Sequence, residues 1–178
     1  MTTARSFASA DLPSSALVPF VVITFFITWG IIGLYILAPG WAASTLGPIS
    51  GSHPLFFLAT WAPAISAMTI VLWHRGIAGL AAFLSRLSLW RIPRFWGMLI
   101  ALILPAVFVA GSLIKGGPWL APLPPEGAGA VLSLLLVMAL LGPVEELGWR
   151  GLAQPLLQRH MPPLAAGALI GAIWGLWH

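Results

Sequence analysis

Cysteine is absent from the 178 residues of this chain, and charged side chains are scarce. The absence of cysteine excludes disulfides, a thiol nucleophile and cysteine-based zinc sites. Asp, Glu, Lys and Arg make up only 7% of the sequence, whereas they make up about a quarter of an ordinary soluble domain. Hydrophobic residues make up 60%, and a fold of this length cannot bury that much apolar surface away from water. The composition therefore predicts an integral membrane protein.

Several catalytic and binding motifs are missing as well. The sequence has no H-E-x-x-H zinc motif, and Asp11 is its only aspartate, so a pair of catalytic aspartates cannot form. The segment GPISGSH lacks the G-x-S-x-G spacing of a serine hydrolase. The eight basic residues are scattered among apolar runs, so the net charge of +4 does not predict nucleic-acid binding.

Long apolar runs predict an all-α, polytopic bundle of about five transmembrane helices. The runs cover residues 16–37, 54–74, 96–114, 128–145 with a continuation to about 159, and 164–178. Proline and glycine predict loops over 39–51 and 116–127, and Pro63 predicts a kink in the second run. The last run reaches His178 without a loop, charge or cap. We therefore expect residues 1–178 to be one membrane-embedded domain, incomplete at its C-terminus and part of a larger bundle.

The distribution of basic residues predicts the orientation in the membrane. Arg5 precedes the first run, and segment 75–94 holds four arginines among Leu, Phe and Trp, while Lys115 is the only basic residue of the opposite loops. Such a segment is typical of a basic amphipathic stretch at the membrane surface, with a plain basic loop as the alternative. Because basic loops favour the cytoplasm, we expect a multi-pass cell-membrane protein with a cytoplasmic N-terminus and a cytoplasmic active-site opening.

The stretch GPVEELGWRG, residues 142–151, places three charged side chains in apolar surroundings, where charge is costly. Glu146 and Arg150 are four residues apart and face each other on a helix, and Gln154 and Gln158 continue their line. Glu145 points in another direction and has no partner on its own helix. Apolar surroundings disfavour an ionised carboxylate, which suits a general base or acid. The partner of Glu145 must therefore come from another helix.

His178 is the only titratable residue of the last run. The midpoint between Glu145 and His178 falls in the predicted turn HMPP, so two antiparallel helices would bring both residues to one height. Glycines at every fourth position from Gly167 to Gly175 predict a face for close helix approach. Glu145, Glu146 and His178 are then candidate ligands for a divalent metal such as zinc. The simpler alternative is that the Glu–Arg pair is only an interfacial anchor.

The segments EELGWRG and WGLWH together closely resemble the CPBP family of intramembrane proteases, relatives of the type II CAAX prenyl endopeptidases that are also called the ABI family. Its first motif, E-E-x-x-x-R, matches Glu145, Glu146 and Arg150. Its second, F-x-x-x-H, matches Trp174 and His178, with Trp in place of Phe. WAPAISA and LSRLSLWRIPRFW also resemble the family's pattern. Its third motif, a histidine followed four residues later by Asn or Asp, is not in this chain.

The resemblance implies an intramembrane endopeptidase in which a glutamate activates water for attack on a peptide bond. It implies Glu145 as the general base, Glu146 with Arg150 as an orienting pair, and His178 as an electrophilic or ligand residue. The expected partners are the lipid bilayer and a membrane-associated peptide or protein. Two other functions stay open: a non-catalytic membrane protein of the bacteriocin-immunity or scaffold type, and a proton-coupled transporter that uses Glu145.

Overall fold

The computed structural model describes residues 12–88, 93–116 and 127–178, and all regular structure in these ranges is helical. Three helices there are long and apolar enough to cross a membrane: Ser14–Leu37, Pro54–Leu84 and Arg94–Ile114. The predicted all-α membrane bundle is thus confirmed, with apolar helices at the first three predicted spans. The last predicted span forms an apolar helix of 15 residues, Pro163–Trp177, and is not among these three. The count of five spans stays a prediction.

Seven α-helices follow one another along the described ranges: α1 (Leu17–Leu37), α2 (Pro39–Leu46), α3 (Pro54–Leu84), α4 (Arg94–Ile114), α5 (Gly127–Gly148), α6 (Gln154–Leu157) and α7 (Pro163–Trp177). A π-helical turn, Trp149–Ala153, joins α5 to α6. The chain divides into two compact units, Met1–Leu84 with Met138–His178, and Ser85–Val137. The single membrane-embedded domain stays a prediction.

The second unit contains α4, an apolar helix of 21 residues. Its large apolar side chains are exposed on the surface of the chain, among them Phe95, Met98 and Ile114, as expected of a helix that lipid surrounds. Parts of the sequence-based predictions fall outside the described residues. These parts are Arg5, residues 89–92 of the basic segment and residues 117–126 of the predicted loop.

In the first unit α1 packs against α3. Helix α1 buries Phe20, Thr24 and Thr28, which are four residues apart and share one face. The facing part of α3 buries a run of small residues, Ala59, Ala62, Pro63, Ala64, Ser66 and Ala67. Small side chains let two helices approach closely where lipid gives no hydrophobic driving force.

Pro63 determines how α1 and α3 are bonded. Proline has no N–H, so the carbonyl of Ala59, four residues earlier, receives no hydrogen bond from its own helix. The hydroxyl of Thr28 on α1 donates to that carbonyl at 2.9 Å. At membrane depth a backbone group freed in this way requires such a partner.

The kink predicted at Pro63 stays a prediction, and α3 has a break further along the chain, at Gly76. The residue with non-helical dihedral angles in α3 is Gly76, with φ 63° and ψ −168°. Glycine adopts this left-handed φ without the steric cost that a Cβ imposes. The straight part of the second predicted span therefore ends next to Arg75, and the helix takes a new direction beyond it.

The predicted loop over 39–51 is wrong for its first part, where α2 forms. Pro39 lies in the first turn of α2, where a missing N–H costs nothing. The helix ends at Gly47, which has a φ of 90°. The hydroxyl of Tyr35 donates to the Gly47 carbonyl at 2.9 Å, and His53 Nε2 lies 2.8 Å from the Leu46 carbonyl. These bonds tie the end of α2 back to α1 and to the start of α3.

The fourth predicted helix continues past Glu145, as expected, through the π turn and α6 to Leu157. Pro155 lies in the first turn of α6 and does not end the helix. The π turn has more residues per turn than an α-helix, so the predicted polar line does not run straight from Arg150 to Gln154 and Gln158. The buried side chains of this stretch include Trp149, Leu152 and Leu156, each 1% exposed.

Helix α7 packs through a different face from the one predicted. Its buried residues are Ala166, Ile170 and Trp177. The glycines at 167, 171 and 175 are exposed, and a Cβ built on any of them would meet no described atom within 4 Å. The inward glycine face is therefore wrong. Larger side chains make more van der Waals contacts with neighbouring helices than glycine can make.

The close helix approach occurs instead at Gly148, in the last turn of α5. A Cβ at this position would lie 2.5 Å from the carbonyl oxygen of Pro63 and 2.6 Å from its Cβ. The obstructing atoms belong to the backbone and to a rigid ring, which cannot rotate away. Gly148 thus holds α5 against α3 three residues after Glu145.

We predict that Gly148→Ala lowers the free energy of unfolding by about 1–3 kcal/mol, because the added methyl group forces α3 and α5 apart. Gly171→Ala adds the same atom in open space on an exposed helix face, and should leave stability unchanged or slightly raised. Unfolding in mixed detergent micelles would compare the two variants. Equal stability of both would contradict the contact with Pro63.

Candidate active site

Glu145 lies half-buried near the end of α5, one turn before the π turn. Its Oε2 accepts a hydrogen bond of 3.2 Å from the indole Nε1–H of Trp174 on α7. A partner from another helix was expected, and α7 supplies it. The bonded group is the Trp174 indole, however, and not the ring of His178. The sequence does indicate this role. At the motif position where the similar family has Phe, this chain has Trp174, whose ring carries an N–H.

The predicted pair of Glu146 and Arg150 forms, with Arg150 Nη1 3.0 Å from Glu146 Oε1. Both side chains are nearly half exposed, at 44% and 45%, so the pair itself adds little to stability. The guanidinium also lies over the Trp174 ring, 5.2 Å from its centroid, which is within cation–π range. Trp174 therefore contacts both halves of the first motif, Glu145 through its N–H and Arg150 through its face.

His178 lies directly after α7, with its ring against two indoles. The ring centroids of Trp174 and Trp177 are each 4.7 Å away, and both contacts are edge-to-face. His178 Nδ1 lies 3.1 Å from the carbonyl oxygen of Trp174. Because a carbonyl only accepts, Nδ1 carries the hydrogen in this bond. In the neutral ring, Nε2 is then the nitrogen with the lone pair.

Glu145 and His178 both line one cavity of about 610 Å³. The other lining residues come from α1, from the connection before α3, from α3 itself and from the end of α7: Thr28, Ile31, Ile32, Ile49, Ser50, Gly51, Phe56, Ala59, Thr60 and Trp177. Most of this wall is apolar, and the two titratable groups lie on it together. Glu146 and Arg150 are not part of the lining. Glu145 and Glu146, although adjacent in sequence, thus have different surroundings.

The cavity lining includes residues at the end of the bundle opposite Arg75 and Arg159. These are residues 49–51, in the connection between α2 and α3. Arg75 ends the straight part of α3 at the other end, where Arg159 donates to the Leu12 carbonyl before α1. The prediction combined a cytoplasmic basic end with a cytoplasmic opening of the site. The cytoplasmic opening of the site stays a prediction.

The three candidate metal ligands do not assemble in the part of the chain that the structure describes. No group of three or more His, Cys, Asp or Glu side chains there could hold a metal ion. A catalytic zinc ion needs three protein ligands, whereas Glu146 pairs with Arg150 and Glu145 accepts from Trp174. These residues alone do not fit a metal centre, so no chemical step is derived through one.

Two histidines outside the motifs, His53 and His160, make local structural contacts. His53 Nδ1 accepts from the Leu55 N–H at 3.1 Å, and its Nε2 lies 2.8 Å from the Leu46 carbonyl, so the ring joins α2 to α3. His160 Nε2 lies 2.6 Å from the Ser14 hydroxyl and closes the turn between α6 and α7 against the start of α1. Their expected place at loops and helix ends is confirmed.

Residues 127–178 match the model of a protein family described as Type II CAAX prenyl endopeptidase Rce1-like. The matched range contains both motifs, and with them α5, the π turn, α6 and α7. The match confirms the resemblance to the CPBP and CAAX proteases over this range. No curated protein and no solved structure matches the chain.

Proposed function

We propose that this multi-pass membrane protein of CAAX-protease-like type hydrolyses peptide bonds with a water molecule that Glu145 activates. The observation that carries the proposal is the shared cavity, in which Glu145 and His178 lie on one apolar wall. An apolar wall with few polar groups is typical of a ligand site. A membrane-associated peptide or protein is the substrate class that such a wall would accept.

In the proposed reaction Glu145 is the general base. Its Oε2 is held by the Trp174 N–H, which leaves Oε1 to accept a proton from water. The hydroxide adds to the carbonyl carbon of the peptide bond, and the carbon–nitrogen bond then breaks as Glu145 returns the proton to the leaving amine. The protonated form of His178 has a second N–H at Nε2, which would donate to the oxyanion.

The pair of Glu146 and Arg150 has a positioning role in this proposal. Arg150 is held at one end by Glu146 and lies over the Trp174 ring. The ring is thereby fixed with its N–H toward Glu145. Loss of Arg150 should act through the orientation of Trp174, since Arg150 does not line the cavity.

We predict that Glu145→Gln lowers peptide cleavage by about 10²–10⁴-fold, the usual contribution of a general base. Folded yield should be normal, because glutamine has nearly the same shape and its side-chain oxygen can still accept from Trp174. Glu146→Gln is the matched control: it makes the same change next to the cavity and should reduce cleavage less. The measurement is cleavage of apolar reporter peptides by the protein in liposomes, followed by mass spectrometry.

Each other outcome of this experiment points to a different function. Equal cleavage by Glu145→Gln and the unchanged protein would remove Glu145 as the base. Proton-coupled flux that depends on Glu145, without cleavage, would identify a transporter. A membrane function that survives Glu145→Gln would identify a non-catalytic scaffold or immunity protein.

We further propose that the end of the bundle that carries Arg75 and Arg159 faces the cytoplasm, because basic residues are retained on that side. Residues 49–51 of the cavity lining then lie toward the outer face. A reporter fused near Arg86 should be active only in the cytoplasm and one near Gly51 only outside. The reverse result would overturn this orientation while leaving the cavity itself unaffected.

A further inference from the structure

Thr28 lies on α1, far in sequence from both motifs and outside the family match, yet it bonds to the last turn of α7. We propose that Thr28 is a positioning residue that fixes the end of α7 and thereby places Trp174 and His178 against Glu145. The expected effect on peptide cleavage rests on the proposed function, whereas the expected effect on the position of Trp174 does not.

The hydroxyl of Thr28 bridges two helices from a buried position, being 5% exposed. It donates to the Ala59 carbonyl at 2.9 Å and accepts from the indole Nε1–H of Trp177 at 2.9 Å. The direction of the first bond is determined by Pro63, since the carbonyl that proline frees can only accept. The hydroxyl hydrogen therefore points to α3, and its lone pair is left to Trp177. Pro63 on α3 thus determines that the Thr28 oxygen accepts the indole N–H of Trp177 on α7.

A second bond from the neighbouring residue reinforces this attachment. The indole Nε1–H of Trp29 donates to the backbone carbonyl of Trp177 at 3.2 Å. Two adjacent residues of α1 therefore hold the side chain and the backbone of one residue of α7. Trp177 is 4% exposed, and its ring packs edge-on against Trp149 at 6.0 Å. These contacts fix both the height and the rotation of the last turn of α7.

That turn carries the candidate site. Trp174 precedes Trp177 by three residues and donates to Glu145, while His178 follows it and packs on its ring. If Trp177 loses its acceptor, ring packing alone orients its indole, and a small rotation of the turn moves the Trp174 N–H away from Glu145. The proposal therefore predicts a change at Trp174 when only Thr28, on another helix, is altered.

The chain offers a matched control one helical turn earlier. Thr24 is on the same face of α1 and fully buried, and its hydroxyl has no hydrogen-bond partner among the described residues. Thr24→Val and Thr28→Val replace the same group by the same methyl in similar burial. Only the second removes an acceptor from Trp177. Thr28→Ser keeps the hydroxyl, and tests whether the hydroxyl alone is enough to hold the Trp177 indole.

The first measurement uses the full chain with ¹⁵N-labelled tryptophan in micelles, and records the indole N–H resonances. Trp177→Phe and Trp174→Phe identify the two resonances by their loss. We expect Thr28→Val to shift both, Thr28→Ser to restore both, and Thr24→Val to leave both in place. Unchanged resonances in Thr28→Val, or equal shifts in the Thr24 control, would overturn the proposal.

A double variant keeps the test decisive if Thr28→Val does not fold. In Thr28→Val/Pro63→Ala the new N–H of residue 63 can bond to the Ala59 carbonyl, as in an ordinary helix. The backbone carbonyl is then satisfied again, while Trp177 still lacks its acceptor. The double variant should fold with the Trp177 resonance shifted. A resonance at its original position would overturn the assignment of Thr28 as the acceptor.

The second measurement is peptide cleavage by the same variants. Thr28→Val should lower kcat about tenfold with KM nearly unchanged, because the displaced Trp174 N–H no longer positions Glu145 for the chemical step. Thr28→Ser and Thr24→Val should both stay near the original rate. An equal loss of kcat in both valine variants would reduce Thr28 to a structural role. If the unaltered protein cleaves nothing, the proposed function fails, and the indole resonances still decide the positioning role.

Discussion

A single backbone carbonyl, that of Ala59, organises the packing around the candidate site. Pro63 deprives this carbonyl of its helical donor, and inside a membrane bundle such a group requires another one. Thr28 supplies the donor and so ties α1 to α3 at 2.9 Å. On its other side Pro63 contacts Gly148, which sets the end of α5 close to α3. One proline thus determines the positions of helices on both sides of the cavity.

Aromatic side chains contact the charged groups of the site, in addition to the ion pair of Glu146 and Arg150. Trp174 donates its N–H to Glu145 and presents its ring face to Arg150. Trp177 donates to Thr28 and packs against His178. An indole has a large apolar body and one N–H, so it can bond a carboxylate or hydroxyl without exposing more polar surface to lipid. This explains how an apolar bundle holds two adjacent glutamates and a histidine.

Much of the fold could be predicted because the information is local. The length of the apolar runs is enough to place α1, α3 and α4, and the four-residue spacing of Glu146 and Arg150 is enough to pair them. The hairpin symmetry about residues 161 and 162 predicted Glu145 and His178 at one height, and both residues line one cavity in the structure. The type II CAAX endopeptidase-like region was recognisable from the two motifs alone.

The rest depends on contacts between helices, which a single run of sequence does not contain. The packing face of α7 follows from what Ala166 and Ile170 meet, and four-residue glycine spacing does not reveal it. Proline does predict an unpaired carbonyl at Ala59, but only the fold shows that Thr28 on α1 is the donor.

The central claim of this account is that Glu145 and His178 face one cavity while Glu146 faces away from it. The chain has no cysteine, so pairs of introduced cysteines can be joined in the membrane without background reaction. A short bifunctional thiol reagent should cross-link Glu145→Cys/His178→Cys efficiently and Glu146→Cys/His178→Cys poorly. Equal cross-linking of the two pairs, or cross-linking of the second pair alone, would contradict the shared site.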